Sequence, residues 1–178
     1  HPQSVRPPCE TARYAGTDTR MNARDDNYDR IARFYDVDMA RNMAFDDVSF
    51  YRGHCLSVPG PVLELGRGNG RVLPDLAAHG IDVVGIDASA GMLSALRQKA
   101  GAAGVTARIA RMDMRKLGLR SGFGIVLCPY SLITYLTADA EAAAMLATLR
   151  TLVQPGGWCV VDAFIPRPDY REVQDCFV

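Results

Sequence analysis

The stretch VLELGRGNGRV, residues 62 to 72, decides the fold of this chain. Its first part, Val62 to Leu65, is short and mostly apolar, which predicts a buried β-strand. Three glycines follow at every second position, Gly66, Gly68 and Gly70. Glycine permits positive φ and lets the backbone approach a ligand with no Cβ in the way. A buried strand that ends in such a turn is typical of the ligand-binding edge of an α/β sheet.

Apolar runs and helical segments alternate along the rest of the chain. Further runs of strand type are Ile81 to Ile86, Val105 to Ala110, Gly124 to Cys128 and Trp158 to Phe164. Most of them are apolar throughout, which is the pattern of a parallel sheet covered by helices on both faces. Helices are predicted at 71 to 79, from a cap at Ser89 to before Gly101, and from about 137 to 153, the last ended by the turn Pro155-Gly156-Gly157. This order predicts an open, doubly wound sheet.

The residues before the first strand predict two more helices and an arm. Helices are expected at 27 to 36 and at 44 to 56, which either pack over the sheet edge or form a lid. Residues 1 to 26 are polar and rich in arginine, so we expect a flexible N-terminal arm. The main domain is predicted at 27 to 166, and 167 to 178 is interpreted as the start of a truncated C-terminal segment.

Composition excludes several classes of function. The chain has 178 residues with 20 basic and 20 acidic side chains. Its formal net charge is zero, so the charge does not indicate binding to nucleic acid or to an anionic membrane. No apolar run approaches the length of a membrane span, and no secretory signal opens the chain, which makes a cytoplasmic location the expectation. The five cysteines lack paired ligand spacing, so we predict reduced thiols and neither a metal site nor disulfides.

The spacing of the glycines narrows the choice of ligand. A dinucleotide fingerprint needs a glycine at position 71, where this chain has Arg71, and this disfavours a nicotinamide oxidoreductase. Asp87 lies 21 residues after Gly66, at the end of the next predicted strand, where a carboxylate can accept hydrogen bonds from ribose hydroxyls. Glu64 precedes the glycines; it would repel a phosphate but suits a cation. The predicted ligand therefore contains a ribose and a positive charge.

In these segments the chain resembles the class I S-adenosylmethionine-dependent methyltransferases, within the group that modifies small molecules. The matching segments, in the family's order, are YDRIARFYD, DDVSFY, VLELGRGNGRV, VVGIDASAGML, ARMDMRKL, FGIVLCPYSLITYL and LVQPGGWCVVDAF. The resemblance implies a Rossmann-like, mostly parallel sheet, S-adenosyl-L-methionine as the cofactor and a small-molecule methyl acceptor. It also implies that the last two strands of the usual fold are missing from this chain.

The resemblance further implies a set of cofactor-binding residues. They are Tyr28, Tyr35, Glu64, Gly66, Arg67, Gly68, Asp87, Ala88, Met92, Asp113, Met114, Cys128 and Ser131. By this similarity Glu64 and the glycines hold the methionine part and Asp87 holds the ribose. Asp113 receives the adenine amino group. Arg67 departs from the family, which usually has a small residue at that position. A guanidinium near a sulfonium is unfavourable unless it points to solvent.

The remaining roles are assigned by the same similarity. Met92 packs on the adenine, Met114 offers its backbone N–H to the ring, and the segment 128 to 131 lines the cleft near the methyl group. Tyr28 and Tyr35 close over the cofactor from the N-terminal helices.

Candidate proton acceptors and two classes of function stay open at this point. An amine acceptor needs only to lose a proton, whereas a hydroxyl acceptor profits from a general base, for which the candidates are His54, Tyr130, Tyr135 and Asp162. One hypothesis is methyl transfer to an N or O atom of a small molecule, such as a natural-product or sugar intermediate. The other is a catalytically incomplete module. In that case a homo-oligomer or a second chain completes the sheet edge, which would otherwise be exposed.

Overall fold

The structure is a computed structural model that describes residues 46–66, 68 and 70–163. In chain order its elements are α1 (Asp47–Ser57), β1 (Val62–Leu65), α2 (Leu73–Ala78), β2 (Val83–Asp87), α3 (Ala90–Ala102), β3 (Arg108–Arg111), β4 (Phe123–Cys128), a 3₁₀ helix (Leu132–Tyr135), α4 (Asp139–Leu152) and β5 (Val153–Val161). The predicted arm, the helix at 27 to 36 and the segment after 166 lie outside these residues. Within them, no helix has the length and apolar character needed to cross a bilayer.

The five strands form one parallel sheet in the order β3-β2-β1-β4-β5. β1 is central, because Val62 lies opposite Val83 of β2 on one side and Ile125 of β4 on the other. The chain winds outward from β1 in one direction through β2 and β3, and in the other through β4 and β5. This confirms the predicted doubly wound sheet, and it places the topological switch point at the carboxyl ends of β1 and β4.

Helices cover both faces of the sheet, because β1 is apolar on both sides. Val62 belongs to an apolar cluster with Tyr51 of α1 and Leu73 of α2. Leu63 belongs to a second cluster with Leu149 of α4. Alternate residues of a strand point to opposite faces, so α1 and α2 lie on one side and α4 on the other.

The predicted boundaries agree best near the centre of the sheet. β1 has the predicted bounds, and α3 begins at the predicted cap, where Ser89 Oγ accepts a hydrogen bond from Met92 N at 3.0 Å. β3 is shorter than predicted, since it pairs only from Arg108 onward. α1 begins after Asp46, whose side chain accepts from Ser49 N at 3.1 Å.

The predicted turn at Pro155-Gly156-Gly157 is wrong, because these residues lie inside β5. Pairing with β4 shifts between Phe123 and Ile125, so the glycine segment forms an irregularity in the ladder rather than a loop. The packing there is tight: a Cβ at Gly157 would lie 2.5 Å from the carbonyl oxygen of Gly124. Glycine at this point allows two backbones to approach closely.

Candidate functional site

The glycine turn adopts the conformation that its sequence predicts. Gly66, Gly68 and Gly70 have φ angles of 53°, 54° and 87°. The space beside two of them is filled by the protein itself: a Cβ at Gly66 would overlap the side chain of Leu132, and a Cβ at Gly70 would overlap that of Leu96. The approach of a ligand to the backbone of this turn stays a prediction. At these two positions the glycines make room for leucine side chains.

Asp87, at the end of β2, lies beside this turn. Its Oδ2 accepts a hydrogen bond from Gly68 N at 2.8 Å, and its Oδ1 accepts one from Ser89 N at 2.8 Å. The half-buried carboxylate thus joins the glycine turn to the start of α3. A carboxylate has about four acceptor positions, so a group of this kind can bind backbone N–H groups and ligand hydroxyls together. The structure brings Asp87 and Gly68 together, as the sequence predicts.

Glu64 places a second carboxylate next to the turn. It is the third residue of β1 and is only 1% exposed. It lies on the sheet face that α1 covers, and burial followed by the Glu64 charge raises the pKa of the Cys55 thiol in α1 to about 12. A carboxylate attracts cationic groups and repels anionic ones. This position therefore favours a positively charged ligand group over an anionic one.

Asp113 supplies a third carboxylate at the same edge of the sheet. The ends of β2 and β3 are joined by a hydrogen bond from Met112 N to the carbonyl oxygen of Asp87, at 3.0 Å. The Asp113 carboxylate accepts from Arg115 through Nε at 2.9 Å and Nη2 at 2.7 Å. Burial opposes ionisation of Asp113, but the bonds from Arg115 outweigh it and hold the pKa of this carboxyl below its usual value. Asp113 is thus a charged acceptor.

Three other predicted cofactor residues lie around these carboxylates. Met92 is buried in the first turn of α3, next to the Ser89 cap. Ala88 offers its carbonyl oxygen to Arg111 Nε at 2.9 Å. Met114 is partly buried against the apolar cluster on the α4 side of the sheet. Tyr28, Tyr35 and Arg67 lie outside the described residues.

The turn after β4 contains two residues in an uncommon conformation. Tyr130 and Ser131 have φ angles of 63° and 50°, in a region that residues other than glycine seldom occupy. Asp162, which follows β5, accepts a hydrogen bond from Tyr130 N at 3.0 Å and another from Ser131 N at 2.9 Å. It also accepts one from the Tyr51 hydroxyl of α1, at 2.7 Å. Asp162 therefore joins β4, β5 and α1.

These bonds decide what Asp162 can do chemically. Burial tends to raise its pKa, but the hydrogen bonds, led by that from Tyr51, prevail and leave the pKa of Asp162 below its ordinary value. Such a carboxylate is a weak base. The hydrogen bonds of Asp162 indicate a structural role, and its role as a proton acceptor stays a prediction.

The turn after β4 and the glycine turn contact each other. The Leu132 side chain lies against Gly66, and the Arg71 guanidinium lies 4.5 Å from the centre of the Tyr130 ring. Arg71 also forms an ion pair with Asp47 in the first turn of α1. We did not predict these contacts, since Arg71 served only to exclude a dinucleotide fingerprint. They place Tyr130 and Ser131 at the switch point of the sheet.

The candidate catalytic residues do not come together. His54 lies between the rings of Phe50 and Trp158, with centroid distances of 4.6 and 5.6 Å. Trp158 pairs with Ile125, three residues before the end of β4, so it lies about 10 Å from the carboxyl edge along the strand. The structure thus keeps His54 away from the strand ends.

The other two candidates lie after β4. The Tyr130 ring packs on Arg71, which follows the glycine turn. Tyr135, at the end of the 3₁₀ helix, is 47% exposed. Cys128 is fully buried, and its burial raises the pKa of the thiol to about 12, so the thiol stays protonated at neutral pH. In the part of the chain that the structure describes, no three His, Cys, Asp or Glu side chains form a group able to hold a metal ion.

Comparisons with known proteins identify the family of this chain. A family model described as a methyltransferase domain matches residues 62–157. Among solved structures, the methyltransferase CcbJ from Streptomyces caelestis is 30% identical, with a TM-score of 0.65 and coverage of 75% of this chain and 56% of that one. The glycopeptide N-methyltransferase MtfA, complexed with S-adenosylmethionine, is 27% identical, with a TM-score of 0.55 and coverage of 66% and 54%.

A more distant structure shares the fold. CalS10, an amino pentose methyltransferase from Micromonospora echinaspora, is 22% identical, with a TM-score of 0.64 and coverage of 74% of this chain and 56% of that one. The chain thus spans somewhat more than half the length of these proteins. A search of curated protein sequences found no significant match. The family model covers more than half of the chain and includes β1, the glycine turn and Asp87, so the chain belongs to the class I S-adenosylmethionine-dependent methyltransferases.

Proposed function

We propose that this protein transfers a methyl group from S-adenosyl-L-methionine to a nitrogen or oxygen atom of a small molecule. The observation that supports this most directly is the set of carboxylates Glu64, Asp87 and Asp113. They lie at the carboxyl ends of the adjacent strands β1, β2 and β3 or just after them, and the glycine turn lies beside the first two. Negative charge and acceptor oxygens at this edge fit a nucleoside that bears a cation.

Each carboxylate fits one part of that cofactor. Asp87 is held by backbone N–H groups on both oxygens, so it is already oriented to accept from the ribose hydroxyls. Glu64 is a buried carboxyl group, and its acceptor oxygens suit the positively charged methionine part. Asp113 would accept from the adenine amino group and share its charge with Arg115. MtfA, whose structure contains S-adenosylmethionine, supports the same choice of cofactor.

The chain's own contribution to the reaction is positioning. S-adenosylmethionine supplies a methyl group already activated on a sulfonium. The residues of the site need to hold donor and acceptor in line, and orientation alone can supply several kcal/mol of the barrier reduction, roughly 7–11 in the most favourable cases. Tyr130 and Ser131 lie where the acceptor side of such a site would be.

The structure favours an amine as the acceptor. Within residues 46–66, 68 and 70–163 neither His54 nor His79 lies at the turn after β4, and Asp162 is a weak base. The candidate that does lie there, Tyr130, carries a phenol, a type of group that is protonated at neutral pH. An amine that has lost its proton to water needs no strong base, whereas a hydroxyl acceptor profits from one. MtfA is a glycopeptide N-methyltransferase. We therefore propose an amino group on a natural-product or sugar intermediate as the acceptor.

Titration calorimetry with S-adenosylmethionine tests the cofactor assignment. We expect micromolar affinity for the wild-type protein and a loss of at least about tenfold in Asp87→Ala, because the ribose loses its acceptor. Asp82→Ala is the matched control. Asp82 lies just before the opposite end of β2, where it pairs with Arg108 on the surface, so its removal should leave the affinity unchanged. Folded wild-type protein that gives no binding heat would contradict the proposal.

One observation favours a second candidate function. β5 is an edge strand within the described part of the sheet, and Trp158 and Val161 on it are 51% and 37% exposed. Such an edge can pair with another chain. A methyltransferase-like module completed by a second copy or a partner would then be expected to bind the cofactor poorly when alone, and light scattering would show its assembly.

A further inference from the structure

The turn after β4 holds a conformation that its own residues do not favour. Ser131 is in the left-handed helical region, with φ 50° and ψ 27°, and Tyr130 also has positive φ. For a residue with a Cβ this conformation is unfavourable by roughly 1–2 kcal/mol, so other contacts must stabilise it.

The Asp162 carboxylate supplies those contacts. Its Oδ2 accepts from Tyr130 N at 3.0 Å, and its Oδ1 accepts from Ser131 N at 2.9 Å. The backbone of Asp162 is itself fixed to β4, because Asp162 N donates to the carbonyl oxygen of Cys128 at 3.2 Å. Each of the two backbone N–H groups therefore donates to a different oxygen of one anchored anion.

Tyr51 fixes the same carboxylate from the other side. Its side chain is 1% exposed within α1, and its hydroxyl donates to Asp162 Oδ2 at 2.7 Å. Burial and the neighbouring Asp162 charge raise the pKa of this phenol, so it remains a donor at physiological pH. Asp162 thus has little freedom to rotate away from the turn.

The position of this turn controls one wall of the candidate cofactor site. Leu132 follows it directly and lies against Gly66, and the Tyr130 ring packs on Arg71, just after the glycine turn. If the turn relaxed to negative φ, both contacts would move. The wall that faces the glycine turn would then be displaced.

We propose that Asp162, held by Tyr51, is a positioning residue of the methyltransferase site: it keeps the turn of Tyr130 and Ser131 left-handed so that the β4 side matches the bound cofactor. This inference rests on the proposed function. Asp162 acts through the backbone and takes no part in proton transfer.

A cycle of three variants tests the proposal, with S-adenosylmethionine as the calorimetric probe. Asp162→Ala should weaken the affinity on the order of tenfold, because the turn is no longer held in its left-handed form. Glycine takes positive φ without strain. Adding Ser131→Gly to Asp162→Ala should therefore restore most of the affinity, measured against Ser131→Gly alone. Loss of packing by itself would not be restored in this way.

Asp75→Ala is the control for the attachment of α1. Asp75 of α2 binds Arg52 of α1 at 2.8 Å and makes no contact with the turn among the described hydrogen bonds and ion pairs, so the affinity should stay at the wild-type value. Circular dichroism and thermal unfolding would establish that each variant is folded.

The outcomes separate this inference from the proposed function. Wild-type protein that binds, together with a folded Asp162→Ala that binds equally well or is not restored by Ser131→Gly, overturns only the role of Asp162. Folded wild-type protein without binding heat overturns both. If Asp162→Ala does not fold, Tyr51→Phe decides, since it keeps the carboxylate but frees it to rotate. About threefold weaker binding supports the proposal, and unchanged binding overturns it.

Discussion

Two turns at the carboxyl edge of the sheet are each held by an aspartate carboxylate that accepts backbone hydrogen bonds. Asp87 accepts backbone N–H bonds from Gly68 and Ser89, and Asp162 accepts them from Tyr130 and Ser131. The glycine turn reaches positive φ with residues that favour it. The turn after β4 adopts positive φ with a tyrosine and a serine. The carboxylate that binds it, Asp162, lies more than 30 residues further along the sequence. One turn is encoded locally, and the other depends on the assembled sheet.

The largest effect should come from crowding the locally encoded turn. Gly70→Ala adds a Cβ that overlaps the fully buried Leu96 side chain, at a φ of 87°. Left-handed strain of roughly 1–2 kcal/mol and overpacking of about 1–3 kcal/mol should together lower the free energy of unfolding by about 2–5 kcal/mol. Urea unfolding of the variant and the wild type measures this difference.

Gly80→Ala is the matched control for that measurement. Gly80 has a similar φ of 76°, but no atom lies within 4 Å of the position of an added Cβ. Its substitution should lower stability by the strain alone, about 1–2 kcal/mol. Equal losses at both glycines would mean that the overlap with Leu96 does not change the free energy of unfolding.

A smaller loss is expected at the turn that depends on the sheet. Asp162→Asn keeps the shape but removes the charge that accepts from two backbone N–H groups and Tyr51. Hydrogen bonds to charged groups contribute about 1.5–3 kcal/mol, and we expect a loss in that range at pH 7.

This loss should also depend on pH in a definite direction. Because the folded-state pKa of Asp162 is below its ordinary, unfolded-state value, its contribution is fully present above the unfolded-state pKa and disappears as the pH falls through the folded-state pKa. The difference in unfolding free energy between wild type and Asp162→Asn should therefore shrink in acid. A difference that stays constant down to pH 2 would indicate that the charge of Asp162 is not involved.

The smallest effect distinguishes the two turns most directly. Gly68→Ser places a Cβ at a φ of 54° and should destabilise the protein by about 1–2 kcal/mol. Ser131→Gly makes the reverse change at a φ of 50° and should alter stability by less than about 1 kcal/mol. Chemical denaturation of both variants gives the comparison. Equal losses would show that the two turns have the same requirement for glycine.

Sequence reasoning succeeded where the structure is encoded in neighbouring residues. The bounds of β1, the cap at Ser89, the positive φ of the three glycines and the doubly wound order of the sheet could all be predicted. Each depends on a local preference or on the period of apolar residues. The position of Asp87 beside the glycine turn followed from the same rules, because both lie at strand ends in a parallel sheet.

The interactions that sequence reasoning missed join distant residues. Tyr51 reaches Asp162 across 111 residues, and no pattern in either segment indicates the pairing. Tyr130 and Ser131 are not residue types that signal a left-handed turn. The glycine pair at 156 and 157 does signal a turn, but close approach of β4 and β5 at Gly124 overrides that preference. In each case tertiary contacts decided the conformation.

The packing of His54 on Trp158 has a practical consequence. Trp158 is the single tryptophan of the chain, and its half-exposed ring lies 5.6 Å from the imidazole. Indole fluorescence changes with the water and the rings around it. Detachment of α1 from the edge strand can therefore be followed optically, without an added label. The protein contains its own reporter for the helix that holds Tyr51.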